Sequence, residues 1–377
     1  MVIARGGKIM KVTVSSSSGD LVSLAARGLS GVEDIYFRSS QAELAETADA
    51  GLTAALTLAM SRGEPLEIMQ PISRVLSARA DDYQALISRW YPRLKPVQVL
   101  AATRQPARAE GSETFCFFSG GVDSFYTLLR NIDRVDAAVY VHGFDVSVDD
   151  TALRSLVAGS LRRTMNGLGK ELIELETDLR RMSDPHVTWP AYVSSGLATV
   201  AHVLSRRFNR ALIAGTLAYH ELQPLASHPL TDPLLSGDQV AIEHHGCDAT
   251  RHDKVAFIAR HPMVQQNLRV CWENPDGDYN CGRCEKCLRT MLGLEALGVL
   301  DEFTCFPSGL DIDVVRQIDL AGRGPRHWAV VNLRELRRAN RDPKLVRALA
   351  EAIARSDVRR VGRLARRQAR RNSAVST

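Results

Sequence analysis

The stretch Phe115-Cys-Phe-Phe-Ser-Gly-Gly-Val-Asp-Ser-Phe-Tyr-Thr-Leu-Leu129 sets the class of the fold. Phe115–Phe118 is an apolar run of strand length, Ser119-Gly120-Gly121-Val122-Asp123-Ser124 follows, and an apolar helical pattern starts at once. A strand that enters a Gly-Gly turn and leaves as a helix aims backbone N–H groups and the positive end of the helix at one point. An anion needs that arrangement. Gly120 and Gly121 let the backbone approach a phosphate with no side chain in the way. Ser119 and Ser124 add hydroxyl donors. Asp123 repels phosphate, so its expected work is to hold Mg²⁺ or to orient the loop. No Gly-Lys-Ser/Thr follows, which separates the loop from a Walker A sequence.

Further short apolar runs, Ala137–His142, Leu172–Leu175 and Ala211–Ala214, are separated by helical patterns such as 150–167 and 191–208. This alternation predicts an α/β fold with a doubly wound, mainly parallel sheet and ligands at the carboxyl ends of its strands. Residues 1–100 read as an α+β unit of their own. Strands are expected at Lys11–Ser15, Val32–Phe37 and Leu66–Met69, and helices at Ala45–Met60, stopping at Arg62-Gly63, and at Ser73–Trp90. Residues 101–112, with Pro106 and Gly111, read as a linker, 113–300 as the phosphate-loop domain, and 301–377 as a helical region.

Seven cysteines are present, and Cys271, Cys281, Cys284 and Cys287 fall within seventeen positions. Three thiols at two-residue intervals can converge on one ion, Gly282 permits the tight turn, and Cys271 arrives from upstream as a fourth ligand. A closed Cys₄ set of this kind suits structural Zn²⁺, and also an iron–sulfur cluster. The pair His244-His245 offers no second metal site, because neighbours on a strand point to opposite faces.

On the loop Ser119-Gly120-Gly121-Val122-Asp123-Ser124, the chain resembles the PP-loop ATP pyrophosphatase superfamily from about Phe115 to Gly298. With Cys281-Gly-Arg-Cys284-Glu-Lys-Cys287-Leu-Arg289 and Cys271 upstream, it further resembles the 7-cyano-7-deazaguanine synthases. The resemblance implies an ATP-dependent, AMP-forming ligase: a carboxylate is adenylylated, pyrophosphate leaves, and ammonia or an amine gives an amide or nitrile. It implies that Ser119, Gly120, Gly121, Val122, Asp123 and Ser124 hold the pyrophosphate. It places His142 and Gly143 by the adenine or ribose, Gly215 and Thr216 near the substrate, and Lys254 on a phosphate. The implied cofactors are ATP, Mg²⁺ and a structural Zn²⁺. Two departures bear on the substrate: Trp189-Pro190-Ala191-Tyr192 stands where that family has Pro-Gly-Arg-Asn, and residues 1–112 and the Arg-rich tail are additional. Trp189 or Tyr192 is a candidate to stack on a flat heterocycle, and Asp232 to accept its N–H groups. Alternatives from the same superfamily are an RNA-modifying sulfurtransferase and a deazapurine-conjugating antiphage-defence protein.

The 377-residue chain is 45% apolar and 24% charged, which excludes disordered, collagen-like and disulfide-scaffold classes. No run of about 18 apolar residues occurs, the N-terminus carries no signal-type apolar core, and the expected location is cytoplasmic. Eight Arg and one Asp lie between Arg355 and Arg371, so the net +5 leaves the remainder at −2. Expected partners are a small carboxylate with ammonia or an amine, a nucleic acid or protein at the basic tail or N-terminal unit, and a second copy of the chain; no membrane is expected.

Overall fold

A computed structural model of the chain describes residues 8–28, 33–274, 277–307 and 309–375. Residues Met1–Arg251 form one compact unit and His252–Thr377 another. Among its described residues the first unit holds twelve strands: β1 Met10–Ser18, β2 Leu21–Arg27, β3 Asp34–Arg38, β4 Leu66–Ile68, β5 Ile72–Ser73, β6 Val99–Leu100, β7 Thr103–Arg104, β8 Glu113–Phe117, β9 Ala137–His142, β10 Glu171–Thr177, β11 Phe208–Ala214 and β12 Ala241–His245. Ten of them make a single sheet in the order β12-β11-β8-β9-β10-β3-β2-β1-β4-β6, and β5 pairs with β7 apart from it.

Strands β8 to β12 pair in parallel, with Phe115 opposite both Ala137 and Ala211. Strand β9 is buried at all six positions, as a central parallel strand must be when helices cover both faces. Strand β1 instead alternates, with Met10, Val12 and Val14 buried and Lys11, Thr13 and Ser15 exposed. That period of two marks a strand with one wet face.

The expected separate unit at 1–100 is corrected by this sheet. Strand β3 pairs antiparallel with β10, Phe37 opposite Thr177, so the N-terminal strands extend the parallel ones directly. Helix Ala48–Arg62 is buried from Ala48 to Met60, which suits a helix apolar and small on every side. It packs on helix Trp189–Val203 through close polar contacts: Thr53 Oγ1 to Thr199 Oγ1 at 3.0 Å and Thr57 Oγ1 to Ser195 Oγ at 2.8 Å. Thr47 caps its start, and it ends at Gly63, the C-cap expected there. The expected linker is also tied down. Arg104 holds the fully buried Asp49 at 2.7 Å and Asp238 at 2.6 Å.

Most expected strands and helices are present, with shifted ends. Val32, in one expected strand, lies outside the described residues. Helix Trp189–Val203 stops short of Phe208, which opens β11. Strands β2 and β12 were not among the expected runs; β12 carries Glu243, His244 and His245, too polar to read as an apolar run.

The second unit is helical, with Glu285–Leu297, Ile312–Gln317, Arg323–Arg338 and Pro343–Val375 around Leu288, Leu292, Val315, Leu336, Leu345 and Leu349. The division therefore falls after Arg251 and not at 300, and the cysteine cluster folds with the C-terminal helices. The last helix runs on through the Arg-rich segment, whose side chains from 360 onward lie outside the described residues. No helix among the described residues is long and apolar enough to cross a membrane.

Because β3 covers the edge of β10 and helix Ala48–Arg62 packs on helix Trp189–Val203, a chain starting at residue 105 is expected to aggregate or to lack a cooperative melt. A monodisperse, cooperatively folded truncation would show the N-terminal strands to be dispensable.

Candidate functional site

Strand β8 lies between β9 and β11. The chain runs from β8 outward through β9 and β10, then returns to the other side of β8 for β11 and β12. Such a reversal parts the connections at the carboxyl ends of two neighbouring strands and leaves a crevice there. Segment 119–124 leaves β8 on one side of it, and Gly215-Thr216 leaves β11 on the other.

The loop turns at Gly120, whose φ of 75° is costly for a residue with a Cβ. Gly121 is the N-cap of helix Val122–Arg130 and supplies no side-chain acceptor. The start of that helix is thus built without the usual capping oxygen. Val122 is packed into the core at 1% exposure, and Ser119 is half-buried. The Ser124 hydroxyl donates to Gly121 O at 3.0 Å, so it closes the turn from within.

Asp123 orients the loop. Its Oδ2 accepts from Arg251 Nη1 at 3.1 Å and from Thr216 Oγ1 at 3.3 Å. One carboxylate oxygen thereby joins the β8 loop, the β11 turn and the start of helix Arg251–Ile258. Arg251, 7% exposed, was not singled out in the sequence. Its position in Thr250-Arg251-His252, at a helix start beyond a strand, is the available sequence signal. Lys254 falls in the second unit and is fully buried.

The ring of His142, expected beside the adenine or ribose, is engaged by neighbouring side chains. Its Nε2 pairs with Glu174 Oε2 at 2.8 Å, and Nδ1 accepts from Arg154 Nε at 3.3 Å, so both ring nitrogens serve a network with Glu176. Gly143 follows in a turn, donating its N–H to Val146 O at 3.0 Å. Tyr192 is no stacking platform either: it is fully buried, and its hydroxyl donates to Ala54 O at 2.7 Å. Trp189 is only half-buried, with Phe144 and the Arg180 guanidinium each 4.9 Å from its ring.

Asp232 is wholly buried and accepts from Ser194 Oγ at 2.5 Å, Ser227 Oγ at 2.9 Å and His244 Nδ1 at 2.7 Å. It therefore has no free edge for a heterocycle. His244 and His245 do face opposite ways: His244 turns to Asp232, while His245 Nε2 meets Asn131 Nδ2 at 3.0 Å. Burial pulls the His244 pKa down, but the hydrogen bonds and charges of Asp232 and Cys247 lift it to about 9.

In the second unit the four cysteine sulfurs all lie within 4.8 Å of one another. Cys271 Sγ is 3.9 Å from Cys284 Sγ, and Cys281 Sγ is 3.9 Å from Cys287 Sγ. A tetrahedron with Zn–S bonds of about 2.3 Å has edges of about 3.8 Å, so the donor set and its spacing fit Zn²⁺. Asn280 aligns the first ligand by accepting from the N–H groups of Val270 at 2.9 Å and Cys271 at 3.2 Å. Cys284 opens helix Glu285–Leu297, and its N–H donates to Cys281 Sγ at 3.3 Å. Hydrogen bonding from Cys287 lowers the Cys284 pKa against the effect of burial. A bound ion would tie the segment before that helix to the helix itself.

Compared with known proteins, the chain matches no family model, no curated protein and no solved structure.

Metal analysis of purified protein is expected to return a single zinc ion per chain, and Cys284→Ser to abolish binding and lower the melting temperature. A metal-free protein with unchanged stability would contradict the site. The Asp232–His244 pair makes a pH prediction. His244, at 6.5 when unfolded and about 9 when folded, stabilises fully below 6.5 and loses that contribution as pH rises through 9. At about 1.4 kcal/mol per unit the loss is on the order of 3 kcal/mol. Denaturant titrations at pH 6 and pH 10 should show it in the wild type and not in His244→Gln.

Proposed function

We propose that the chain is a PP-loop enzyme of the ATP pyrophosphatase type, an ATP-dependent, AMP-forming ligase that activates a carboxylate and joins it to ammonia or an amine. The observation that carries this reading is the convergence on Asp123. A Gly-Gly loop at a helix start, a hydroxyl from the neighbouring strand end and a guanidinium meet at the mouth of a parallel sheet, where nucleotides bind in doubly wound folds.

In the proposed reaction a carboxylate oxygen attacks the α-phosphorus of ATP, the bond to the β-phosphate oxygen breaks, and pyrophosphate departs. The amine then attacks the acyl carbon, and AMP leaves with the bonding electrons. Backbone N–H groups of the loop and Ser119 are positioned to hold the departing charge. Asp123 fixes the loop against Thr216 and Arg251. Zn²⁺ in the Cys₄ set has a structural part, since four thiolates leave no open coordination position. A heterocyclic, 7-deazaguanine-like acid is the proposed substrate class. It rests on the pairing of the loop with Cys281-Gly-Arg-Cys284-Glu-Lys-Cys287.

The test is release of AMP and pyrophosphate from ATP and Mg²⁺ with 7-carboxy-7-deazaguanine and ammonia, then with a wider panel of acids and amines. Asp123→Ala should abolish it, and Arg251→Ala should lower the rate by about 10²-fold, the usual cost of one preorganised charge-stabilising group. ATP turnover untouched by Asp123→Ala would remove the loop from the chemistry.

A further inference from the structure

The last helix, Pro343–Val375, changes character partway along one face. Up to Asp357 that face packs: Leu345, Ala348, Leu349, Ala352 and Ile353 are buried in the core of the second unit. Ser356 donates its hydroxyl to Leu320 O at 2.9 Å, and Asp357 pairs with Arg326 at 2.5 Å. One residue further on, Val358 is 74% exposed, and Arg359 is exposed as well. The helix backbone continues to Val375.

An α-helix turns by about 100° per residue, so the backbone and the sequence together place each position around it. The five buried positions occupy an arc of about 140°. Every basic position past Asp357 falls on that same arc: Arg359, Arg360, Arg363, Arg366, Arg367, Arg370 and Arg371. Positions on the opposite side, among them Val361, Leu364, Ala365 and Gln368, are uncharged. A stripe that buries Leu and Ala thus becomes, in register, a stripe of arginine.

Two observations separate this stripe from a helix end kept wet by charge. A solvated helix intersperses signs, as this one does where Arg347 and Glu351 pair at 2.9 Å, four residues apart. From Val358 to Thr377 there is no Asp or Glu. Like charges at i and i+4 destabilise a helix, so the pattern calls for anions from outside it. The excess is also wider than the tail. Between Arg323 and Arg371 lie 15 Arg and one Lys against Glu335, Asp342, Glu351 and Asp357, a net +12 that leaves the rest of the chain at −7. Glu335 and Glu351 are each already shared by two arginines, Arg334 with Arg338 and Arg316 with Arg347.

The composition also selects the anion. A helix that lies on a membrane sets Trp, Phe and Leu opposite its basic face, whereas this one offers Val358, Val361 and Leu364 and no aromatic. A protein interface needs an apolar or aromatic anchor at its centre, which the arginine stripe lacks. Phosphates are matched by guanidinium forks. Single strands are held by stacking bases on aromatic rings, and no aromatic residue occurs from Ala329 to Thr377. A duplex needs no such platform: it carries one charge per about 1.7 Å of its axis, and its major groove admits an α-helix. We propose that the C-terminal helix binds the phosphate backbone of a duplex nucleic acid through its arginine stripe, a contact independent of the ligase reading.

The test is fluorescence anisotropy of the full chain, without ATP, on duplex DNA of about 20 base pairs, on duplex RNA and on a single strand of the same sequence, over a range of salt. Either duplex should bind more tightly than the single strand, and log K should fall against log salt with a slope of about −6, as seven neutralised phosphates give. Arg359→Gln, Arg363→Gln, Arg366→Gln and Arg370→Gln together should weaken binding at least about tenfold and flatten the slope by about 3 to 4. These positions lie past the last core contacts, so the melting temperature should hold. As a control for net charge, Arg89→Gln, Arg93→Gln, Lys95→Gln and Arg163→Gln, exposed in the first unit, should leave the slope unchanged. No duplex binding at low salt, or equal loss in the control, overturns the proposal, and the wild-type slope decides even if a variant fails to fold. Tighter binding to the single strand, to phosphatidylserine vesicles or to polyglutamate than to either duplex overturns it as well. Failure of pyrophosphate release would remove the ligase and leave this contact standing.

Discussion

The position of β8, hydrogen-bonded in parallel to β9 on one side and β11 on the other, governs where chemistry can take place. Parallel strands need long crossovers, so every loop at their carboxyl ends emerges at one edge of the sheet. The reversal of strand order at β8 then leaves two of those loops facing each other with no helix between them. One is the Gly-Gly loop and the other is Gly215-Thr216. Asp123 spans them, bonded to Thr216 and Arg251, and so converts a topological gap into a defined set of donors.

The rest of the first unit holds that edge in place. Strands β1 to β3 continue the sheet past β10, and helix Ala48–Arg62 lies against helix Trp189–Val203 through alanines and threonines small enough for close approach. Large side chains there would part the two helices. Arg104 adds an ionic clasp on the buried Asp49, an uncompensated charge without it. The N-terminal residues are thus part of the scaffold that carries the loop.

In the second unit the cysteine set joins a short irregular segment to the start of a core helix. Coordination by four thiolates is strong enough to order a segment that buries little apolar surface of its own. Its geometry closes around one centre.

Elements with a strong local signal could be read directly: the glycine turn between an apolar strand and an apolar helix, the cysteine spacing, the Gly63 helix stop and the largely apolar β9. Each depends on residues close together in the chain, where backbone preference and periodicity act. The single sheet could not be read, because nothing in Asp34–Arg38 specifies that its partner is a strand about 140 residues away. The polar strand β12 was hidden for a related reason: His244 and Glu243 are tolerated only because distant carboxylates and guanidiniums meet them there. Arg251 beside Asp123, His142 paired with Glu174, and His244 held by Asp232 are likewise products of packing. Local sequence settles which residues can do chemistry; the pairing of remote strands settles which of them meet.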